Sequence, residues 1–212
     1  MPDETTPIDD IKHKENLVKK FDLRYKQIEI ASTVKEIRKV CLEKPDKMAL
    51  ANIKTRARMI LLYEYANRTK SLVCGTSNKS ELLIGYFTKY GDGGVDFQPL
   101  GDLYKTQIYQ LAKYLDIPKP MISKSPSAGL WHGQTDEKEL GMSYETLDKI
   151  LYGLELKLDV KEIKKNVNVK ETDIERIKRT RVKSQHKRRS PLVPKVGIRT
   201  PGLDWRSPVQ EG

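Results

Sequence analysis

The stretch SLVCGTSNKSELLIGYF, Ser71 to Phe87, sets a short apolar run directly against a helical pattern. SLVCGT reads as a buried strand ending at a Gly-Thr turn, and a helix follows from about Lys79 to Phe87. Upstream, YKQIEI (Tyr25 to Ile30) reads as a second short strand, with Ile28 and Ile30 on one face. Residues 9–22 form an amphipathic helix through Ile11, Leu17, Val18 and Phe21. Thr33 and Glu36 have capping-box spacing and open a helix running through Val40. Residues 46–68 are a long helix with Ile53, Ala57, Ile60 and Leu61 in its core stripe. Helices and strands thus alternate, the pattern of a parallel α/β sheet.

Downstream, Thr88 to Asp102 is a Gly-rich loop, and Tyr104 to Leu115 is a helix with Ile108, Leu111, Ala112 and Leu115 facing inward. Residues 118–142 read as irregular, and Ser143 to Leu154 as helical. Thr172 and Glu175 cap a last basic helix reaching about Lys187. After Ser190 come Pro191, Pro194, Pro201 and Pro208, which keep the tail extended. The expected organisation is one α/β domain over residues 1–188 and a basic tail over 189–212.

A chain of 212 residues hides roughly 70% of its unfolded surface, enough for a real core. The formal net charge is +11, but Arg176 to Arg206 holds eleven Lys or Arg against one acid, Asp204. The remainder is close to neutral, so the charge belongs to the C-terminal segment. Cys41 and Cys74 make no disulfide framework and no CxxC pair, which suits a reducing compartment. His13, His132 and His186 are too scattered for a zinc site. The opening MPDETTPIDD is unlike a signal peptide, and no apolar run approaches the roughly 18 residues of a membrane span. A cytoplasmic protein without a membrane partner is expected.

Several positions carry two readings. Glu81 lies near the start of the helix after SLVCGT, where an acid either stabilises the helix dipole or serves an anion and metal site. Lys105, in the first turn of its helix after Asp102 as cap, opposes the dipole; it is either solvated or shares a phosphate with the helix end. The loop Lys89-Tyr-Gly-Asp-Gly-Gly-Val-Asp96 offers glycines for positive φ and carboxylates at Asp92 and Asp96, fitting a surface turn or a ligand loop. Arg56 and Arg58 stand about 200° apart round a helix, so one faces solvent while the other points into a cleft. The basic run His186-Lys-Arg-Arg189 would suit phosphates, but no aromatic side chains interleave it.

NIKTRARM (Asn52 to Met59), CGTSNKSE (Cys74 to Glu81), GYFTKYGDGGVDFQPLGDLYK (Gly85 to Lys105), LGMSYETLD (Leu140 to Asp148) and QHKRRSPLVPK (Gln185 to Lys195) together resemble the ammonia-dependent NAD synthetase family. The resemblance implies the adenine nucleotide alpha hydrolase fold, a three-layer α/β/α parallel sheet. It implies a ligase that adenylates the nicotinate carboxylate of deamido-NAD with ATP and Mg²⁺, then lets ammonia displace AMP. It places Thr76, Lys105 and Ser127 on ATP, and Glu81 on magnesium. Arg56, Lys89, Asp96, His186 and Lys187 would hold deamido-NAD. Ser127 stands where the family has a threonine, a mild departure because the hydroxyl is kept. The family implies a homodimer with active sites near the subunit interface.

One departure is large. The family's Ser-Gly-Gly-x-Asp-Ser loop, which cradles pyrophosphate, has no counterpart here. DGGVDF is a poor match, because Asp92 puts negative charge where a hydroxyl should meet phosphate. Met1-Pro2-Asp3 resembles the residues after the family's second strand. The expectation is therefore a sheet lacking its first two strands, and little or no ligase turnover by this chain alone. An internal start, a separate chain carrying the loop, and an inactive fragment are the three explanations, the first ranked highest. Two rivals follow: a non-catalytic chain that binds deamido-NAD or a partner, and, more weakly, a nucleic-acid binder using the basic tail.

Overall fold

The 23-residue helix spanning Lys47–Thr69 is the axis around which the N-terminal half assembles. Asp46 starts it by accepting from the Ala49 N–H at 2.7 Å, and Lys70 ends it in the left-handed conformation. The computed structural model describes residues 1–201 and Asp204; the rest of the expected tail lies outside the described residues. In chain order the helices are α1 (Ile8–Lys20), α2 (Ala31–Lys39), α3 (Lys47–Thr69), α4 (Lys79–Ile84), α5 (Lys105–Tyr114), α6 (Lys119–Ser123), α7 (Asp136–Leu140), α8 (Tyr144–Glu155), α9 (Val160–Asn166) and α10 (Glu171–Lys183). A 3₁₀ turn, Gln185–Lys187, follows.

Several sequence expectations need correction. Helix α2 begins at Ala31, so Thr33 and Glu36 lie inside it instead of capping it. Helix α10 begins at Glu171 with no side-chain cap. Helix α4 stops at Ile84, because Gly85 turns left-handed there (φ 71°). Asp102 does not cap α5; Tyr104 precedes that helix, and Asp102 pairs with Lys79 at 3.2 Å. Residues 118–142 contain α6 and α7, and α9 was not expected at all.

The expected sheet is reduced to one contact among the described residues. A parallel bridge joins Cys74 to Phe97, with the Gly75 N–H donating to the Phe97 carbonyl at 2.8 Å. Tyr25 to Ile30 forms no ladder, although the Ile30 N–H donates to the Pro2 carbonyl at 3.0 Å. A strand exists only where a neighbour meets its backbone groups, and local pattern does not supply that neighbour. Ser71 to Thr76 is also half-buried, not wholly buried: Val73 and Gly75 are buried, while Leu72 is 71% exposed and Cys74 and Thr76 face outward.

The main core lies in the C-terminal half. Ile84, Leu147, Ile150, Leu151, Ile163, Ile174 and Ile177 pack together from α4, α8, α9 and α10. A smaller cluster of Ile30, Val34 and Ala57 joins α2 to α3, and Met59, Ala66 and Val73 seat the Ser71–Thr76 segment on the other side of α3. Ile60, expected in the α3 stripe, is 65% exposed. A polar joint ties the two halves: buried Asp148 of α8 accepts from Ser80 Oγ and from the Thr106 N–H at 2.8 Å, satisfying the starts of α4 and α5 together.

Candidate functional site

Where α3, the end of the Ser71–Thr76 segment and the turn after α4 converge, they enclose a cavity of about 600 Å³. Helix α3 contributes Asn52, Thr55 and Arg58 to its wall, the segment end contributes Thr76, and the C-terminal turn contributes Lys187. Trp131 and Gln134 close it from the loop before α7. The loop after α4 is pinned to α3, because Thr88 Oγ1 donates to Asn52 Oδ1 at 2.7 Å. Asp92 Oδ1 accepts from the Thr88 N–H at 2.8 Å and folds the glycine turn back on itself.

That turn corrects the expected role of its glycines. Gly91, Gly93 and Gly94 do not adopt positive φ; Tyr90 does (φ 62°). The glycines are there for close approach. A Cβ on Gly91 would sit 2.7 Å from Thr55 Oγ1, and one on Gly93 would strike the Phe87 ring.

The polar wall is carried by Tyr86. Its hydroxyl lies 3.2 Å from Asp136 Oδ1 and 3.1 Å from Glu139 Oε2, and the Tyr144 hydroxyl donates to Asp136 Oδ2 at 3.0 Å. Asp136 is 4% exposed. Burial pushes its carboxyl above the usual range, against the pull of Tyr144, Lys105 and Tyr86. Burial also lowers the Lys187 amine, which Asp92 partly offsets.

The expected site residues fall into three places. Thr76 and Lys187 line the large cavity, where Lys187 Nζ donates to the carbonyls of Gly85 at 2.7 Å and Phe87 at 2.8 Å. Glu81 and Lys105 meet as an ion pair at 3.0 Å, brought together by the starts of α4 and α5. The same Glu81 completes the capping box of α4 with Asn78, which is its helix-stabilising reading. Lys105 and Ser127 share a further cavity of about 340 Å³.

Arg56, Lys89, Asp96 and His186 do not line these cavities. Arg56 Nε donates to the Lys89 carbonyl at 3.3 Å, so those two are neighbours on the exposed side of α3. Asp96 accepts from the Tyr63 hydroxyl at 3.0 Å and from the Val73 N–H at 2.6 Å, which anchors the Ser71–Thr76 segment. His186 is exposed in the 3₁₀ turn.

Sequence reasoning passed over Lys54. It is 6% exposed, and its amine meets Asp3 Oδ2 at 2.8 Å, Thr5 Oγ1 at 2.9 Å and the Leu130 carbonyl at 2.8 Å. It therefore fastens the N-terminal segment and the Trp131 loop to α3. No group of three or more His, Cys, Asp or Glu suited to a metal ion gathers among the described residues. No helix among the described residues is long and apolar enough to cross a membrane.

The NAD synthase family model matches residues 1–191. The chain is 45% identical over 214 residues to the NH(3)-dependent NAD(+) synthetase of Sulfolobus acidocaldarius, covering 99% of this chain and 76% of that protein. It is 47% identical over 191 residues to the enzyme of the same name from Archaeoglobus fulgidus, covering 90% and 73%. Among solved structures it superposes on an NMN synthetase from Francisella tularensis (TM-score 0.81, 34% identity, 92% of this chain and 76% of that one). It also superposes on an NH3-dependent NAD synthetase from Campylobacter jejuni (TM-score 0.73, 33% identity, 90% and 74%).

Proposed function

The chain belongs to the NAD synthase family, and from that premise we propose that it is a ligase converting deamido-NAD, ATP and ammonia to NAD, AMP and pyrophosphate. The nicotinate carboxylate attacks the α-phosphorus of ATP and expels pyrophosphate. Ammonia then attacks the acyl carbon of the adenylate, and AMP leaves with the acyl C–O electrons. The observation that carries this reading is the Glu81–Lys105 pair at 3.0 Å. A cation at the start of α5 opposes the helix dipole, and a carboxylate from the start of α4 holds it in place until a polyanion arrives. Lys105 then faces the charge that builds on the phosphate oxygens.

Magnesium fits this donor set as a companion of ATP. One carboxylate plus substrate phosphates is a common Mg²⁺ arrangement, and Glu81 supplies that carboxylate; the ion contributes charge neutralisation when bound. Thr76 and Ser127 complete the ATP contacts. Lys187 reaches deamido-NAD in the large cavity, while Arg56, Lys89, Asp96 and His186 meet it from the outer face, where a homodimer interface would bring the ligand to them. The reading also includes a cytoplasmic enzyme, a three-layer α/β/α layout, and the division into a domain over 1–188 and a tail over 189–212.

The test is product analysis with deamido-NAD, ATP and ammonium. AMP, pyrophosphate and NAD are expected in equal amounts, with nicotinate mononucleotide a poorer acceptor. ADP as product, or calorimetry in which deamido-NAD fails to bind, would sink the proposal.

A further inference from the structure

We propose that Arg58 is the group that grips the phosphate joining the two halves of a nucleotide ligand. The inference deepens the ligase reading and rests on it. Arg58 lines two cavities at once: the one of about 600 Å³ described above, and a second of about 310 Å³ walled by Ile11, Tyr25 and Ser127. Ala128 is the other residue common to both walls. A ligand reaching from one space into the other therefore passes the Arg58 guanidinium.

The side chain is pinned but not satisfied. Its Nε donates to the Met1 carbonyl at 2.9 Å, which fixes the fork, while its two terminal nitrogens have no hydrogen-bond partner among the described residues. The nearby carboxylates that favour its charge are engaged elsewhere: Asp3 with Lys54 at 2.8 Å, and Asp92 with the Thr88 N–H at 2.8 Å. A guanidinium keeps its charge at any working pH and offers paired donors matched to phosphate oxygens. A partly buried cation with unmet donors is stabilised by an anion of that geometry.

The ligand class follows from the two spaces. The 310 Å³ cavity sets the Tyr25 ring and Ile11 beside Asp10, Lys26 and Gln27, a mixed wall that suits the base and the hydroxyls of a nucleoside; the larger one holds Thr76 and Lys187. An acyl adenylate has this layout: a nucleoside, one phosphate, then an acyl group. Arg58 would thus hold the α-phosphate while the acyl carbon stays on the large-cavity side. Arg56, two residues away, points to the exposed side of α3 and cannot share this task.

The test compares AMP with adenosine by calorimetry on the whole chain, unsubstituted and as Arg58→Gln and Arg58→Lys. The unsubstituted chain is expected to prefer AMP. Arg58→Gln should weaken AMP at least tenfold and leave adenosine unchanged, and Arg58→Lys, which keeps a charge and a donor for the Met1 carbonyl, should fall between. A thermal melt shows whether each variant is folded; if Arg58→Gln is not, Arg58→Lys alone must lower the AMP preference or the proposal is overturned. Equal AMP affinity in all three proteins, or equal loss of AMP and adenosine, overturns it. If equal affinity is found while the unsubstituted chain still makes NAD, the ligase reading stands alone. An unsubstituted chain that binds no AMP overturns both.

Discussion

Lys54 occupies a place on α3 between buried Ala51 and Ala57, where helical spacing calls for an apolar side chain. Its amine instead completes a buried ion pair with Asp3. Lys54→Met would strand that carboxylate, so we expect a loss of about 3 kcal/mol or more, read from urea unfolding. Burial raises the Asp3 carboxyl, but Lys54 and Thr5 outweigh burial and hold it below the ordinary range. Its stabilising contribution is therefore complete above the unfolded value of about 3.9 and fades as the pH falls through the lower folded value. The melting temperatures of the unsubstituted chain and Asp3→Asn should differ at neutral pH and converge in strong acid; a constant gap would contradict this. Nothing in the sequence marks Lys54, because a single lysine inside an apolar stripe has no motif. Arg58 was half legible: the helical angle said that only one of two arginines could face inward, and the structure says which.

Helix α4 shows why ends are easier to read than pairings. Its start carries Asn78 and Glu81 in a reciprocal cap, a pattern fixed by three-residue spacing. Its end depends on distant chain: Lys187 donates to the Gly85 carbonyl, and Arg188 donates to the carbonyls of Leu82 at 2.9 Å and Leu83 at 2.8 Å. Gly85→Ala would meet both a left-handed φ of 71° and the Ser184 side chain. We expect a loss of about 2 kcal/mol and faster hydrogen exchange at residues 184–188; unchanged exchange there would refute the coupling. Asp46→Ala, which removes a purely local cap from α3, should cost about 1 kcal/mol in thermal unfolding and leave that exchange untouched. The strands were less legible for a related reason. The alternation in Ser71 to Thr76 is genuine, but whether it becomes a ladder depends on what lies beside it.

Across the whole molecule, the bridge to Phe97 occupies one edge of the Ser71–Thr76 segment, and Leu72 stands out from it at 71% exposure. An extended edge with an exposed apolar side chain invites pairing with another chain. Leu72→Lys should lower light scattering at high protein concentration and shift stability by no more than about 0.5 kcal/mol; unchanged scattering would show that this edge is not the point of contact. The capping of α4 by Lys187 and Arg188 also has a consequence for the order of events during synthesis. The carbonyls of Leu83 and Gly85 meet Arg188 and Lys187 only after those residues have left the ribosome, more than a hundred positions later. Until then the turn that holds Gly85 and Phe87 against the cavity is pinned only by Thr88 on Asn52 and by its own backbone. The nascent chain must therefore be translated past Arg188 before this part of its binding surface can set, and a ribosome stalled earlier would hold a product with an unfinished pocket.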